Sequence, residues 1–209
     1  MPPSFESPVT ALHANIVAVI LAGGASTRMG VDKAFLNWEE TPLLRRQIDV
    51  VRAAEATMIW ISGRREVDYS AFDCEVVNDQ VEGAGPLAGL AAALRKARDS
   101  HSWLMALAVD LPCMTSDYLS MLAVEAINTG VGILPQRGSY FEPLAALYPV
   151  GPTLAVAEAQ LAIKHFALQE LAAILIAQGH AQPRPIEPNE RVLFANWNDA
   201  TGPRTADTG

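Results

Sequence analysis

The hydrophobic positions of this chain follow two periods in alternation. Apolar runs at 16–20 and 103–109 predict buried strands, the second apolar on both faces and so central, and the largely apolar segment 58–62 predicts another strand. Segments 42–54, 86–98, 116–128, 152–166 and 168–178 predict helices. The second of these sets Leu87, Leu90, Ala91 and Leu94 on one face. Thr115 or Ser116 caps the third, and Gly179 stops the fifth. Shorter apolar stretches at 75–78, 131–135, 144–148 and 191–196 predict further strands. Residues 182–190 hold three prolines and predict extended or coil structure. Strands alternating with helices define an α/β chain: a single three-layer α/β/α domain with a Rossmann-like, mostly parallel sheet. The domain is expected over 15–200, with a frayed leader at 1–14 and a loose tail at 201–209.

Polar and glycine-rich segments fall where the strands end. The first apolar run leads into Leu21-Ala22-Gly23-Gly24-Ala25-Ser26-Thr27-Arg28-Met29-Gly30-Val31-Asp32-Lys33. Glycines let a backbone turn sharply and approach a ligand. Successive N–H groups in such a loop form an anion concavity, and Arg28 and Lys33 add positive charge suited to a polyphosphate. The third strand ends at Asn78-Asp79 and leads to Gly85-Pro86-Leu87-Ala88-Gly89, which opens a helix. The central strand ends at Asp110-Leu111-Pro112. A carboxylate at the tip of a buried apolar strand needs a partner, and a magnesium ion bridging to phosphate supplies one. In open α/β sheets ligands bind beyond the carboxyl ends of strands, so these three segments converge on one site.

The loop is neither of two familiar phosphate-binding patterns. It lacks Gly-x-Gly-x-x-Gly, and five residues separate Gly24 from Gly30 where an ATPase loop has four. It resembles instead the signature loop of nucleotidyltransferases with the nucleotide-diphosphosugar transferase fold, and within them the molybdenum cofactor guanylyltransferases, the MobA family. That resemblance implies transfer of a guanylyl group from GTP to the terminal phosphate of molybdopterin, with release of pyrophosphate. It implies a nucleotide site at Leu21, Ala22, Gly23, Gly24, Lys33, Asp79, Gly85, Pro86, Leu87 and Asp110. It implies further that Arg28, Lys33 and Asp110 carry the catalysis and that Asp110 of the Asp-x-Pro step holds Mg²⁺. The implied partners are GTP, molybdopterin and, transiently, molybdoenzyme-maturation proteins.

Glu142-Pro143-Leu144-Ala145-Ala146-Leu147-Tyr148 resembles the guanylyl-transferring pattern, whereas related cytidylyltransferases carry a Gly-His-Pro-like step there. Glu142, with Asn196 and Asn198 of an Asn-x-Asn step, is the candidate set for the second substrate. The chain departs from the family where an Asn often follows the second strand. Ser62-Gly63-Arg64 stands there, leaving Ser62 and Gly63 as weaker candidates. A cytidylyltransferase, a sugar-phosphate nucleotidyltransferase and a nucleotide-binding adaptor remain the alternatives.

Composition narrows the partners. With 209 residues and a formal net charge of −8, the chain offers no broad basic surface for nucleic acid. No apolar stretch is long enough to span a bilayer. The two cysteines, Cys74 and Cys113, make neither a disulfide framework nor a zinc pattern, and the four histidines have no metal-ligand spacing. These features set the expectation of a cytoplasmic protein.

Overall fold

The computed structural model describes residues 15–23, 32–78 and 83–197. In chain order the strands and helices are β1 (Ile16–Leu21), β2 (Asn37–Trp38), β3 (Thr41–Pro42), α1 (Leu43–Ala53), β4 (Met58–Ser62), β5 (Glu75–Val77), α2 (Pro86–Ala97), β6 (Trp103–Ala108) and α3 (Ser116–Thr129), followed by β7 (Gly132–Arg137), β8 (Tyr140–Phe141), β9 (Ala145–Pro149), α4 (Val150–Ala162), α5 (Leu168–Ala177) and β10 (Ala181–Pro185). Among the described residues, eight strands form one sheet in the order β10-β7-β9-β6-β1-β4-β5, with β8 paired to β7. β2 and β3 make a separate small hairpin.

β1 lies between β4 and β6 and is parallel to both. Its residues alternate between two cores, because successive side chains on a strand point to opposite faces. Ile16, Ala18 and Ile20 pack with α1 and α3, through Leu44, Ile48, Leu119 and Leu122. Val17, Val19 and Leu21 pack with α2, α4 and α5, through Leu90, Leu94, Leu154 and Leu171. The three-layer architecture read from the sequence is therefore observed.

The sheet is mixed on one side of its centre. β9 runs antiparallel to both β6 and β7. Only residues 138–144 separate β7 from β9, and part of that connection is β8. A parallel return needs a crossover of a dozen residues or more, so the chain doubles back instead.

One expectation is corrected near the end of the described chain. Residues 191–196 form no strand: Arg191–Phe194 is a 3₁₀ turn. Its apolar run places Phe194 edge-on against Tyr118, at 5.4 Å between ring centres, and leaves Val192 half exposed. The proline-rich segment is extended at its start, as expected, and there it pairs as a strand. β10 pairs in parallel with β7 at the sheet edge, where the missing N–H groups of Pro183 and Pro185 are tolerated. The expected leader at 1–14 and tail at 201–209 lie outside the described residues.

Candidate active site

The carboxyl ends of β6, β1 and β4 lie side by side and form one wall of a cavity of about 630 Å³. Each strand contributes the segment that follows it. Val109 and Asp110 extend β6, Ala22 and Gly23 extend β1, and residues 63–66 extend β4. Backbone bonds knit these ends together: Val109 N–H donates to the Leu21 carbonyl at 3.1 Å, and Ala22 N–H to the Ser62 carbonyl at 2.8 Å.

The start of α2 closes the opposite side with Gly85, Pro86 and Gly89. Gly85 sits at φ +59°, ψ −149°, a conformation open essentially to glycine alone. Pro86 occupies the first helical turn, where its fixed φ and missing N–H suit the helix. A Cβ at Gly89 would stand 2.2 Å from Ser62 Oγ, so α2 reaches β4 only because that position is bare. Leu87 is fully buried and does not line the cavity; it anchors α2 in the core below.

Lys33 and Asp110 meet across the cavity floor, Nζ to Oδ2 at 3.0 Å, with side chains 19% and 24% exposed. Each is held by its own supports. Asp32 caps the 3₁₀ turn that carries Lys33, its Oδ1 accepting from Ala34 N–H at 2.9 Å. Tyr69 donates its hydroxyl to the other Asp32 oxygen at 3.1 Å. The turn after Asp110 is gripped by α1: buried Gln47 donates to the Leu111 carbonyl at 2.7 Å, and Arg46 donates to the Pro112 carbonyl. Trp197 N–H donates to the Asp110 carbonyl at 2.9 Å.

That last bond brings Asn196 to a second cavity of about 410 Å³. Glu142, Phe141 and Gln169 also line it, and Ala108, Asp110 and Leu144 are common to both cavities. Burial pushes the Glu142 carboxyl above its usual range; the Arg137 guanidinium, 3.5 Å away, opposes this and the Asp110 charge adds to it. Gln169 on α5 pins the cavity rim, accepting from Phe141 N–H at 3.0 Å and donating to its carbonyl at 2.8 Å.

The structure thus brings Leu21, Ala22, Gly23, Lys33, Gly85, Pro86 and Asp110 to one cavity, and Glu142 and Asn196 to the other beside Asp110. Ser62 and Gly63 join the first. Gly24, Arg28, Asp79 and Asn198 lie outside the described residues. Arg64, Arg65, Glu66 and Gln169 were missed as site residues. The position of residues 64–66 directly after a central parallel strand was the signal for the first three. Among the described residues no three His, Cys, Asp or Glu side chains cluster as a metal cage. The Asp110 carboxylate at the strand end instead suits a divalent ion that completes its shell with substrate oxygens and water.

A parallel sheet with a glycine-lined cleft at its strand ends, a Lys–Asp pair at the floor and a second cavity alongside defines a nucleotidyltransferase-type α/β protein. The chain belongs to the family of the MobA-like NTP transferase domain, whose model matches residues 18–181. A probable molybdenum cofactor guanylyltransferase of Opitutus terrae is 38% identical over 184 residues, 88% of this chain and 90% of that protein. One from Deinococcus radiodurans is 33% identical over 182 residues, covering 86% and 82%. In fold the chain is similar to molybdopterin-guanine dinucleotide biosynthesis protein A of Archaeoglobus fulgidus, with TM-score 0.70, 22% identity, and 88% of this chain and 93% of that one covered.

Proposed function

We propose that this protein transfers a guanylyl group from GTP to the terminal phosphate of molybdenum-loaded molybdopterin, releasing pyrophosphate. One observation carries the reading: Asp110, paired with Lys33, lies on the wall that the two cavities share. A transfer between two substrates needs such a junction. Relatives named as molybdenum cofactor guanylyltransferases support the choice of GTP and of the acceptor.

The nucleophile is a phosphate oxygen already ionised at neutral pH, so no general base is needed. An oxygen of the acceptor phosphate bonds to the α-phosphorus of GTP, and the bond from that phosphorus to the bridging oxygen of pyrophosphate breaks. Two anions must be brought together in line, and the leaving group must be neutralised as it departs. Lys33 supplies a fixed cation for the triphosphate. Gly23, with Gly24 and Arg28 of the same sequence loop, supplies backbone donors and further charge. Glu142 and Asn196 hold the acceptor from the second cavity, with Asn198 as the other member of the Asn-x-Asn step in the sequence.

The family implies a divalent metal, and we assign it as Mg²⁺ on Asp110. Bound there it neutralises charge on the triphosphate. No described helix is long and apolar enough to cross a membrane. The unpaired thiols Cys74 and Cys113 support a cytoplasmic setting. Transient contact with molybdoenzyme-maturation proteins, which would receive the product, belongs to the same reading.

The test is pyrophosphate release with Mg²⁺ and molybdate-loaded molybdopterin, comparing GTP, CTP, ATP and UTP. Turnover with GTP is expected. Turnover with CTP in its place would reassign the protein as a cytidylyltransferase.

A further inference from the structure

The turn after β4 carries a pair of side chains that the phosphate chemistry does not use. Asp110 follows β6 and residues 63–66 follow β4, with β1 between them. Two strand spacings separate these ends, roughly 10 Å. A nucleoside triphosphate whose phosphates lie at Lys33 and Asp110 therefore reaches the β4 end with its base. What waits there is an arginine beside a carboxylate. Arg64 and Glu66 both line the cavity, and Arg64 Nε donates to Glu66 Oε1 at 2.7 Å. Their side chains are 41% and 62% exposed, so both remain open to a ligand.

The turn is built rather than incidental. Tyr69 accepts from Arg64 N–H at 3.2 Å while donating to Asp32, the residue before Lys33. Its ring stacks on Phe35 and covers the face of Gly63, where a Cβ would stand 2.3 Å from the ring. One tyrosine thus fixes the β4 turn relative to the phosphate end.

We propose that Arg64 and Glu66 read the guanine base. Guanine offers two acceptors, O6 and N7, on one edge, which suit an arginine fork. Its N1–H and 2-amino group are donors on the adjoining edge, which suit an ionised carboxylate that only accepts. Adenine replaces O6 with an amino donor and has no 2-amino group, and cytosine lacks the imidazole ring that carries N7. The Glu66 carboxyl is held below its usual range, by a backbone N–H first and by Arg64 second, so it is an acceptor at neutral pH. The proposal rests on the reading of the larger cavity as the GTP site.

Equilibrium binding separates the two claims without the second substrate. GTP, ITP and ATP are titrated with Mg²⁺ into the parent chain and into Arg64→Ala and Glu66→Ala, with folding followed by circular dichroism. ITP carries hypoxanthine, which is guanine without the 2-amino group. In the parent GTP binds more tightly than ITP by about tenfold, and in Glu66→Ala that ratio falls to near one. Arg64→Ala weakens GTP and ITP alike by about tenfold or more and leaves weak ATP binding as it was. If the parent binds GTP but neither variant changes these ratios, the base-reading assignment fails while the guanylyl-transfer reading stands. If the parent binds no guanine nucleotide, both fail.

Discussion

The Lys33 ammonium and the Asp110 carboxylate lie 3.0 Å apart across 77 positions of sequence. The separation spans β1's downstream loop and the end of β6, so the pair exists only once the parallel sheet has formed. Each charge is partly buried, and the two pair directly. In the proposed reaction the triphosphate and the metal take these groups over. Lys33→Met and Asp110→Asn each remove one charge at nearly constant shape. Turnover, read as pyrophosphate release, is expected to fall at least ~10²-fold for either. Near-normal turnover of a folded variant would remove that residue from the mechanism.

Gly63 and Tyr69 give a prediction about stability. The Tyr69 ring cannot swing away from an added Cβ, because its hydroxyl is tied to Asp32 and its face to Phe35. Gly63→Ala should therefore cost about 2 kcal/mol, as overpacking does in a constrained site. Thermal unfolding should show Tm lowered by roughly 4–8 °C for a chain of this length. Gly63→Ala combined with Tyr69→Ala should recover part of the loss relative to the sum of the two single changes, since the clash is gone.

Much of this site was legible in the sequence, and the reason is topological. Strand ends carry the ligand in a parallel sheet, so Gly23, Gly85 and Asp110 could be assigned from position and residue type together. Arg64 and Glu66 were passed over although they too follow a parallel strand, because by residue type they resemble any solvated turn residues. So was Gln169, whose role is to hold Phe141's backbone from another helix. The misread segment fails for a local reason: Val192, Leu193 and Phe194 form an apolar run too short to tell a strand from a turn. Pro183 and Pro185 signal extended backbone, but only the place at the sheet edge shows that it pairs.

Tyr69 also sets an alkaline limit. Burial is the main cause that raises its hydroxyl to about 12, with the Asp32 charge adding to the effect. The group keeps its proton in the folded chain at pH values where the unfolded chain, near 10, releases it. Its stabilising contribution is therefore complete below pH 10 and is lost as pH rises to 12. Tyr118, raised to about 12 chiefly by burial, acts in the same direction. Denaturant unfolding between pH 10 and 12 should show stability falling with pH. Tyr69→Phe should remove close to one proton from that slope; an unchanged slope would mean that Tyr69 ionises freely in the folded chain.

Glu142 lines the second cavity and not the first. Burial holds its carboxyl above the usual range, so the charged form is disfavoured in the fold. The sign follows: its contribution is present below the unfolded value and is lost as pH rises through the folded one. Glu142→Gln should relieve this at neutral pH, leaving stability equal or slightly higher. The same change should raise KM for the molybdopterin substrate several-fold with KM for GTP unchanged. A rise in KM for GTP instead would place Glu142 on the nucleotide side.

The edge strand β10 is secured by Arg184. Its guanidinium donates to both Glu190 oxygens, at 2.9 and 2.8 Å, and to the Tyr118 hydroxyl at 3.0 Å. The side chains of Arg184 and Glu190 are only 16% and 15% exposed. Removing Glu190 takes away the two-pronged partner and leaves Arg184 with Glu125, 3.5 Å from its Nε, as counter-charge, at a cost of about 2 kcal/mol. Glu190→Ala should therefore lower Tm by roughly 4–8 °C. The Glu190 carboxyl is held below its usual range by Arg184, so its stabilisation is present above the unfolded value and is lost as pH falls through the folded one. The parent should lose stability on acidification over that window, and the variant should lose less. Because β10 leads through Phe194 to Asn196 and Trp197, whose N–H holds Asp110, the variant should also weaken turnover more than GTP binding.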